Sequence, residues 1–394
     1  MAEAALQDLA RQPDVDVVLA VDMDVARKAR LLSNIPQRRK VRVLRLDVKN
    51  TSKAARALRG VDGILNAAWY EINLKAMDLA LSLRAHYVDL GGLYHTTLRQ
   101  LKRNAEFKRK GVLGVLGCGS SPGITNMMVA QASKSFSSIG SVGIYDASYE
   151  PAIEGGFLPP FSIRTLLDEY SLEAPILKAG RIIEATPHSG LETLRFPRPI
   201  GICRASAVIH SELATLPAYL RSKGIRNMAF KIAYPEALRS RLDLLVSMGF
   251  GETRPLEVNG AWASPRAFLT AMSQRNIIQD HGKPSDFDVL RIRMQGDRFA
   301  SAARHKTVME WDCELFPSGN LSAGGVGVGF SASTATLMVL RGESLCRLGV
   351  YAPESVFSAD TFLDNLRKHP SILFRNPVFA GSTGKSRAHD ERQS

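Results

Sequence analysis

A handful of residues in this sequence have the types and spacings that proton transfer and ligand binding need. His210 and Glu212 stand two apart in "HSELATLP", an imidazole of near-neutral intrinsic pKa beside a carboxylate. In an extended segment such positions point to one face, so the pair can act together. Asp89 closes the short strand "HYVDLGG", where a carboxylate can take a proton or balance an ammonium group. Asp22 closes "VDVVLAVD". In dinucleotide folds an acid at the end of the second strand accepts both adenine-ribose hydroxyls and repels a 2′-phosphate, which favours NAD. Arg27, Lys28 and Arg30 follow it closely and leave NADP open. In "SYEPAIEGGFLPP" the residues Tyr149, Glu150 and Glu154 can read a cationic amino group. Arg164 or Arg226 can hold a carboxylate through a fork-shaped pair.

The elements that must position these residues alternate through the N-terminal third. Ala4, Ala5, Leu6, Leu9 and Ala10 fall at helical spacing before the strand that ends at Asp22. A helix over Val25–Leu32 and a strand over Val41–Val48 follow. "TSKAARALRG" is a helix that Thr51 or Ser52 can cap and Gly60 closes. Val61–Ala68 forms a third strand, and its end puts Asn66, Ala67 and Ala68 where a cofactor is expected. A helix through "INLKAMDLALSLRA", the strand before Gly91, a basic helix to about Arg109 and a strand over Val112–Cys118 complete the series. Apolar strands alternating with helices imply an α/β, doubly wound parallel sheet of Rossmann type.

A helix followed by a strand ending in Asp22 is the second half of a dinucleotide-binding unit. Counting back ~20 residues puts its third glycine-type position at Ala2, where alanine is tolerated. The first strand and glycine-rich turn are therefore expected upstream of Met1, in a longer form of the chain; loss of cofactor binding is the rival reading. "LGCGSSPGITN" joins a strand end, a glycine-rich bend, a proline-glycine turn and a helix beginning near Ile124. Asn126 can reach a ligand there, or the string can serve only as a connector between domains.

Beyond it the strands lengthen and alternate, as in "SVGIYDASYE" and "FDVLRIRM", which fits a mostly antiparallel sheet with helices on one face. The division expected is a Rossmann-type domain over 1–122, a substrate and oligomerisation domain over 123–329, helices returning to the first domain over 330–375, and a disordered tail over 376–394.

The formal charge of +13 raises the question of nucleic acid. The densest basic runs, "QRRK" and "FKRK", are short and lack interleaved aromatics, so no nucleic-acid partner is expected. No stretch approaches the ~20 apolar residues of a membrane span. The four cysteines form no CxxC, which argues against zinc or a disulfide frame and suits a reducing cytoplasm.

"VDGILNAAWYEINLKAMDLALSLRAHYVDLGG", "GCGSSPGITN", "PFSIRTLLDEYSLEAPILKAG", "FPRPIG", "HSELATLP" and "LGVYAPE" occur in order. Together they resemble the saccharopine dehydrogenase (saccharopine reductase-like) family, with the nearest likeness to its lysine 6-dehydrogenase-like branch. The resemblance implies a Rossmann domain, an inserted catalytic α/β domain, NAD(P)-dependent chemistry at a carbon–nitrogen bond of a small amino-acid substrate, and a homo-oligomer, dimer or tetramer. It implies hydride transfer from an amine-bearing carbon, leaving an imine. A general base is then needed near the nitrogen, with Asp89, His210 and Glu212 as candidates. The alternatives are a saccharopine or carboxyspermidine-type reductase and a non-catalytic relative. Where more distant saccharopine reductases carry an aspartate before the PG turn, this sequence has Ser121.

Overall fold

The structure, a computed structural model, describes residues 1–26, 28–151, 162–277, 283–299, 306–346 and 348–381. In the first domain, β1 (Val18–Asp22) pairs in parallel with β2 (Val41–Arg45), Val18 opposite Val41. A second parallel sheet holds β3 (Gly63–Asn66), β4 (His86–Asp89), β5 (Leu113–Val115) and the strand Gly349–Tyr351 in that order. No ladder joins β1 to β3 among the described residues. Leu19 and Val21 of β1 instead share an apolar cluster with Ile64 of β3, built on Leu46, Ala54, Leu58 and Leu79. In a dinucleotide fold the first strand lies between the second and the fourth, which is the interval between β1 and β3.

Local chemistry sets the helix ends. The helix Thr51–Ala57 is capped by Asn50, whose side chain accepts from the Lys53 amide at 3.1 Å, and not by Thr51 or Ser52. The basic helix expected to run to Arg109 is two helices, Leu93–Leu101 and Asn104–Lys110. Arg103 at the break binds Asp78 and Glu106.

The second domain is organised on β6 (Phe136–Tyr149), which pairs in antiparallel with Phe287–Arg298 and in parallel with Asn227–Ala233. The other neighbours along this sheet are antiparallel. Val142 and Ile144 of β6 and Ile292 and Met294 opposite them turn one face into the main core. On the reverse face Arg291 binds Asp312, and Arg293 binds Glu310 and Glu192. Val378–Gly381 pairs with Thr307–Glu310 at the sheet edge, so the segment expected to be disordered from 376 opens with a strand.

The helix Ala323–Leu340 joins the two domains. It packs on the helix Ala2–Arg11, β3 and β4, and also on the strands Phe287–Arg298 and Thr307–Leu315. Against the expectation that no stretch approaches a membrane span, it passes for one by length and composition, but 83% of it is buried. A helix enclosed by both domains is apolar all round for that reason. At Gly329 any Cβ would strike the Ala4 side chain and the Met1 carbonyl, so glycine allows the two helices to touch. This helix, Ala323–Leu340, spans the position 330 at which the return to the first domain is expected.

Candidate active site

Toward one end of the second sheet the core-facing positions change from apolar to ionisable. On β6 the sequence Val142, Ile144, Asp146 keeps one face, and Asp288 lies diagonally across from Asp146 on the neighbouring strand. His210, just after Ile202–Ala207, stacks on Phe230 with ring centres 3.7 Å apart. Tyr234, just after Asn227–Ala233, donates to Glu169 Oε2 at 3.0 Å. Glu169 comes from the covering helix Ile163–Ser171.

His210 and Glu212 form the expected pair, through Nδ1 and Oε2. The reason differs from the one expected: His210 is extended, but Ser211–Ala214 is a 3-10 turn that brings Glu212 back onto the ring. Thr125, in the first turn of the helix Ile124–Ser133, donates to the other Glu212 oxygen at 2.9 Å. This fixes the carboxylate, and with it the imidazole. Burial works to lower the proton affinity of His210, yet Glu212, Glu169 and Asp146 together raise it above the ordinary value.

Burial pushes Asp146 up to about 6 and Glu169 up to about 7, with His210 pulling both back. Asp288 is raised well above its usual range by burial and by Asp146, Asp286 and Glu150, and burial carries Asp286 to about 6. One Asp286 oxygen accepts the Ala323 amide at 2.7 Å, while the other is buried without a partner. The charges bearing on Asp288 are all acidic. The site is therefore a row of carboxylates with His210 at one end.

Other expected residues lie elsewhere. Asp89 is fully buried and accepts from Tyr87, Gln100, Asn73 and the amides of Gly91 and Gly117. It ties β4 to two turns and has no lone pair free for a substrate, so its catalytic assignment is corrected to an anchor. Asn66 belongs to the same network through Asn73 and Tyr87. Asn126 is 1% exposed; its amide donates to Glu354 at 2.9 Å and its oxygen caps the Gly123 amide, so it serves the turn and does not face a ligand. Arg226 is level with Gly140, six residues or about 20 Å along β6 from Asp146, because strands rise ~3.3 Å per residue. Its guanidinium donates to the Ala179 carbonyl at 3.3 Å at an exposed position, away from the acidic row. Arg164 lies over the Trp69 ring at the domain boundary. Tyr149 packs beside Phe287 at the end of β6, and Glu150 acts on Asp286 and Asp288. Glu154 lies outside the described residues.

Asp146, Glu169, Tyr234, Asp288 and Glu354 were not singled out in the sequence. A signal existed for two of them: Asp146 and Asp288 interrupt apolar phases, Val142-Ile144-Asp146 and Asp288-Leu290-Ile292.

The comparisons with known proteins agree with this architecture. The model described as saccharopine dehydrogenase NADP binding domain matches residues 1–115, and that described as saccharopine dehydrogenase C-terminal domain matches residues 119–372. The chain belongs to the saccharopine dehydrogenase family. A carboxyaminopropylagmatine dehydrogenase from Synechocystis sp. is 26% identical over 281 residues, 68% of this chain and 67% of that protein. Apo saccharopine dehydrogenase (L-Glu forming) from Saccharomyces cerevisiae superposes with a TM-score of 0.72 at 16% identity, covering 96% of this chain and 97% of that one. The homospermidine synthase of Legionella pneumophila, solved with NAD, gives 0.65 at 13% identity, covering 99% and 93%.

Members of the saccharopine dehydrogenase family are NAD(P)-dependent oxidoreductases on amino-acid-like substrates, and the first domain is their NADP-binding domain. The residues present fit part of such a cofactor. Asp22 is exposed at the end of β1, with one oxygen held by the Asp24 amide at 2.9 Å and the other available to a ribose. Ala2 is exposed at the start of its helix, and Ala67 and Ala68 leave β3 on the same edge with Ala68 exposed. No glycine lies between Met1 and β1 to form the pyrophosphate turn. Among the described residues no group of three His, Cys, Asp or Glu side chains is placed to hold a metal ion.

Proposed function

We propose that the chain oxidises or reduces the carbon–nitrogen bond of an amino-acid derivative that carries a second positive group. The observation behind this is the acidic row Asp146–Asp288–Asp286 leading away from His210, which gives an incoming ammonium or guanidinium group carboxyls to ionise and pair with and gives a carboxylate no cation there. Two substrate types answer it. One is lysine, oxidised at its terminal amine-bearing carbon to an imine that water converts to the semialdehyde. The other is a carboxyspermidine-type conjugate, formed by reducing the imine between a cationic amine and a semialdehyde. Saccharopine, with three carboxylates, suits the row least. The likeness to a carboxyaminopropylagmatine dehydrogenase favours the second type.

A nicotinamide cofactor, held in part by Asp22, would supply the hydride acceptor for oxidation of the amine-bearing carbon and the hydride donor for reduction of the imine. Oxidation needs a neutral nitrogen. Glu169, with its pKa near 7, can take the N–H proton as the C–H electron pair departs, and can return that proton in reduction. His210, whose proton affinity Glu212 raises, can balance the ionised form of Glu169.

The test begins with fluorescence titration of NADH and NADPH, followed by turnover assays. Agmatine or putrescine with a semialdehyde amino acid, lysine, and saccharopine are compared. Turnover on the cationic amines and not on saccharopine is expected; turnover on saccharopine alone overturns the reading. Folded protein that binds neither cofactor indicates a non-catalytic relative. A homo-oligomer is expected, and sedimentation as a monomer at micromolar concentration would overturn that part.

A further inference from the structure

The turn that leaves β3 on the cofactor side runs Ala67, Ala68, Trp69, Tyr70, and its last two residues reach the second domain. The Tyr70 hydroxyl donates to Asp168 Oδ2 at 2.6 Å, and the Arg266 guanidinium pairs with Asp168 Oδ1. Arg266 is itself fixed, its Nε donating to the Gly251 carbonyl at 2.8 Å. One helical turn before Asp168, Arg164 lies 4.9 Å above the Trp69 ring centre. Asp168 is only 4% exposed, so water does not replace a lost partner there. Burial, and then Asp168 itself, push the Tyr70 phenol upward, so it remains a donor throughout the neutral range.

Asp168 and Glu169 are consecutive on the helix Ile163–Ser171, about 100° apart around its axis. One faces Tyr70 and Arg266; the other faces Tyr234 and His210. A roll of the helix that freed Asp168 would carry Glu169 with it.

We infer that Tyr70 is a positioning residue: by holding Asp168 it sets the roll of the helix Ile163–Ser171 and so the place of the Glu169 carboxylate. The cofactor-side edge of one domain is thereby coupled to the proton carrier of the other. The inference rests on the reading of Glu169 as that carrier. The titratable groups acting on Glu169 are Tyr234, His210, Asp146 and, from its own helix, Asp168. From the helices packed on Ile163–Ser171, Arg239 and Asp243 bear on Tyr170, and Arg266 on Asp168.

The test follows Glu169 directly and needs no turnover. Difference infrared spectroscopy of the full chain, with Glu169→Gln identifying the carboxyl band, is expected to give a midpoint near 7. In Tyr70→Phe the ring stays and the hydroxyl goes; the midpoint is expected to fall by ~0.5 unit or more as the carboxyl gains water, a roughly threefold loss of proton affinity. A Tyr70→Phe chain that melts earlier with its midpoint unmoved has lost only a structural contact, and overturns the inference. A moved midpoint in a protein that turns over no cationic amine supports the coupling and refutes the functional reading alone.

Discussion

Glu169→Gln should make the protein more stable at alkaline pH, although it removes a buried group. Burial holds the Glu169 proton to about pH 7, against 4.5 for the ordinary side chain. Between those two values the native state binds more protons than the unfolded chain. The contribution of Glu169 is thus fully present below about 4.5 and is lost as pH rises through about 7. A displacement of that size corresponds to about 3 kcal/mol, at ~1.4 kcal/mol per unit. Glutamine mimics the protonated carboxyl and can still accept the Tyr234 hydroxyl, so it should escape the loss. Urea unfolding at about pH 4.5 and about pH 8 measures this. The wild-type chain should lose about 3 kcal/mol more than the variant across that interval. Asp146 and Asp286 bias both proteins in the same sense, and subtraction removes them. Equal pH dependence in the two proteins would refute the assignment of a protonated, desolvated Glu169.

Three further outcomes follow from named contacts. Asp89→Asn turns one acceptor oxygen into a donor amid five donors, and should cost ~3 kcal/mol or more in denaturant unfolding; an unchanged midpoint with lost activity would restore Asp89 to catalysis. Glu212→Gln keeps the Thr125 bond but leaves burial to dominate His210, so the imidazole should titrate lower by NMR and turnover should fall by roughly a hundredfold. Gly329→Val places side-chain atoms against Ala4 and Met1 and should cost ~1–3 kcal/mol in thermal unfolding, with no loss if the helices Ala2–Arg11 and Ala323–Leu340 do not touch.

Much of the fold was legible because the strands of the first domain are short apolar runs punctuated by Gly60, Gly91, Gly92 and Gly111. Periodicity alone locates β3, β4 and β5 to within a few residues. It could not reveal that Arg103 interrupts a basic helix, since a break made by ion pairs to Asp78 and Glu106 leaves no Gly or Pro behind. Nor could it assign the strand Val378–Gly381, whose apolar residues are few and whose partner lies about 70 residues earlier.

The site was legible where partners are close in sequence. His210 and Glu212 were found together because two residues separate them, and the 3-10 turn that joins them did not need to be known. Asp89 misled for the converse reason. An acid at a strand end looks the same whether it faces a ligand or five internal donors, and those donors come from β4, two turns and two helices. Asp146 and Asp288 were overlooked, yet they carried the stronger clue. A carboxylate in the apolar phase of a long strand must lie under whatever covers that face. Burial there costs several kcal/mol unless the group is paired or protonated. Two such violations, at Asp146 and Asp288 on hydrogen-bonded neighbouring strands, mark one spot on one sheet face. Had the strands been paired on their apolar phases first, both acids would have converged on that one spot before any side chain was placed.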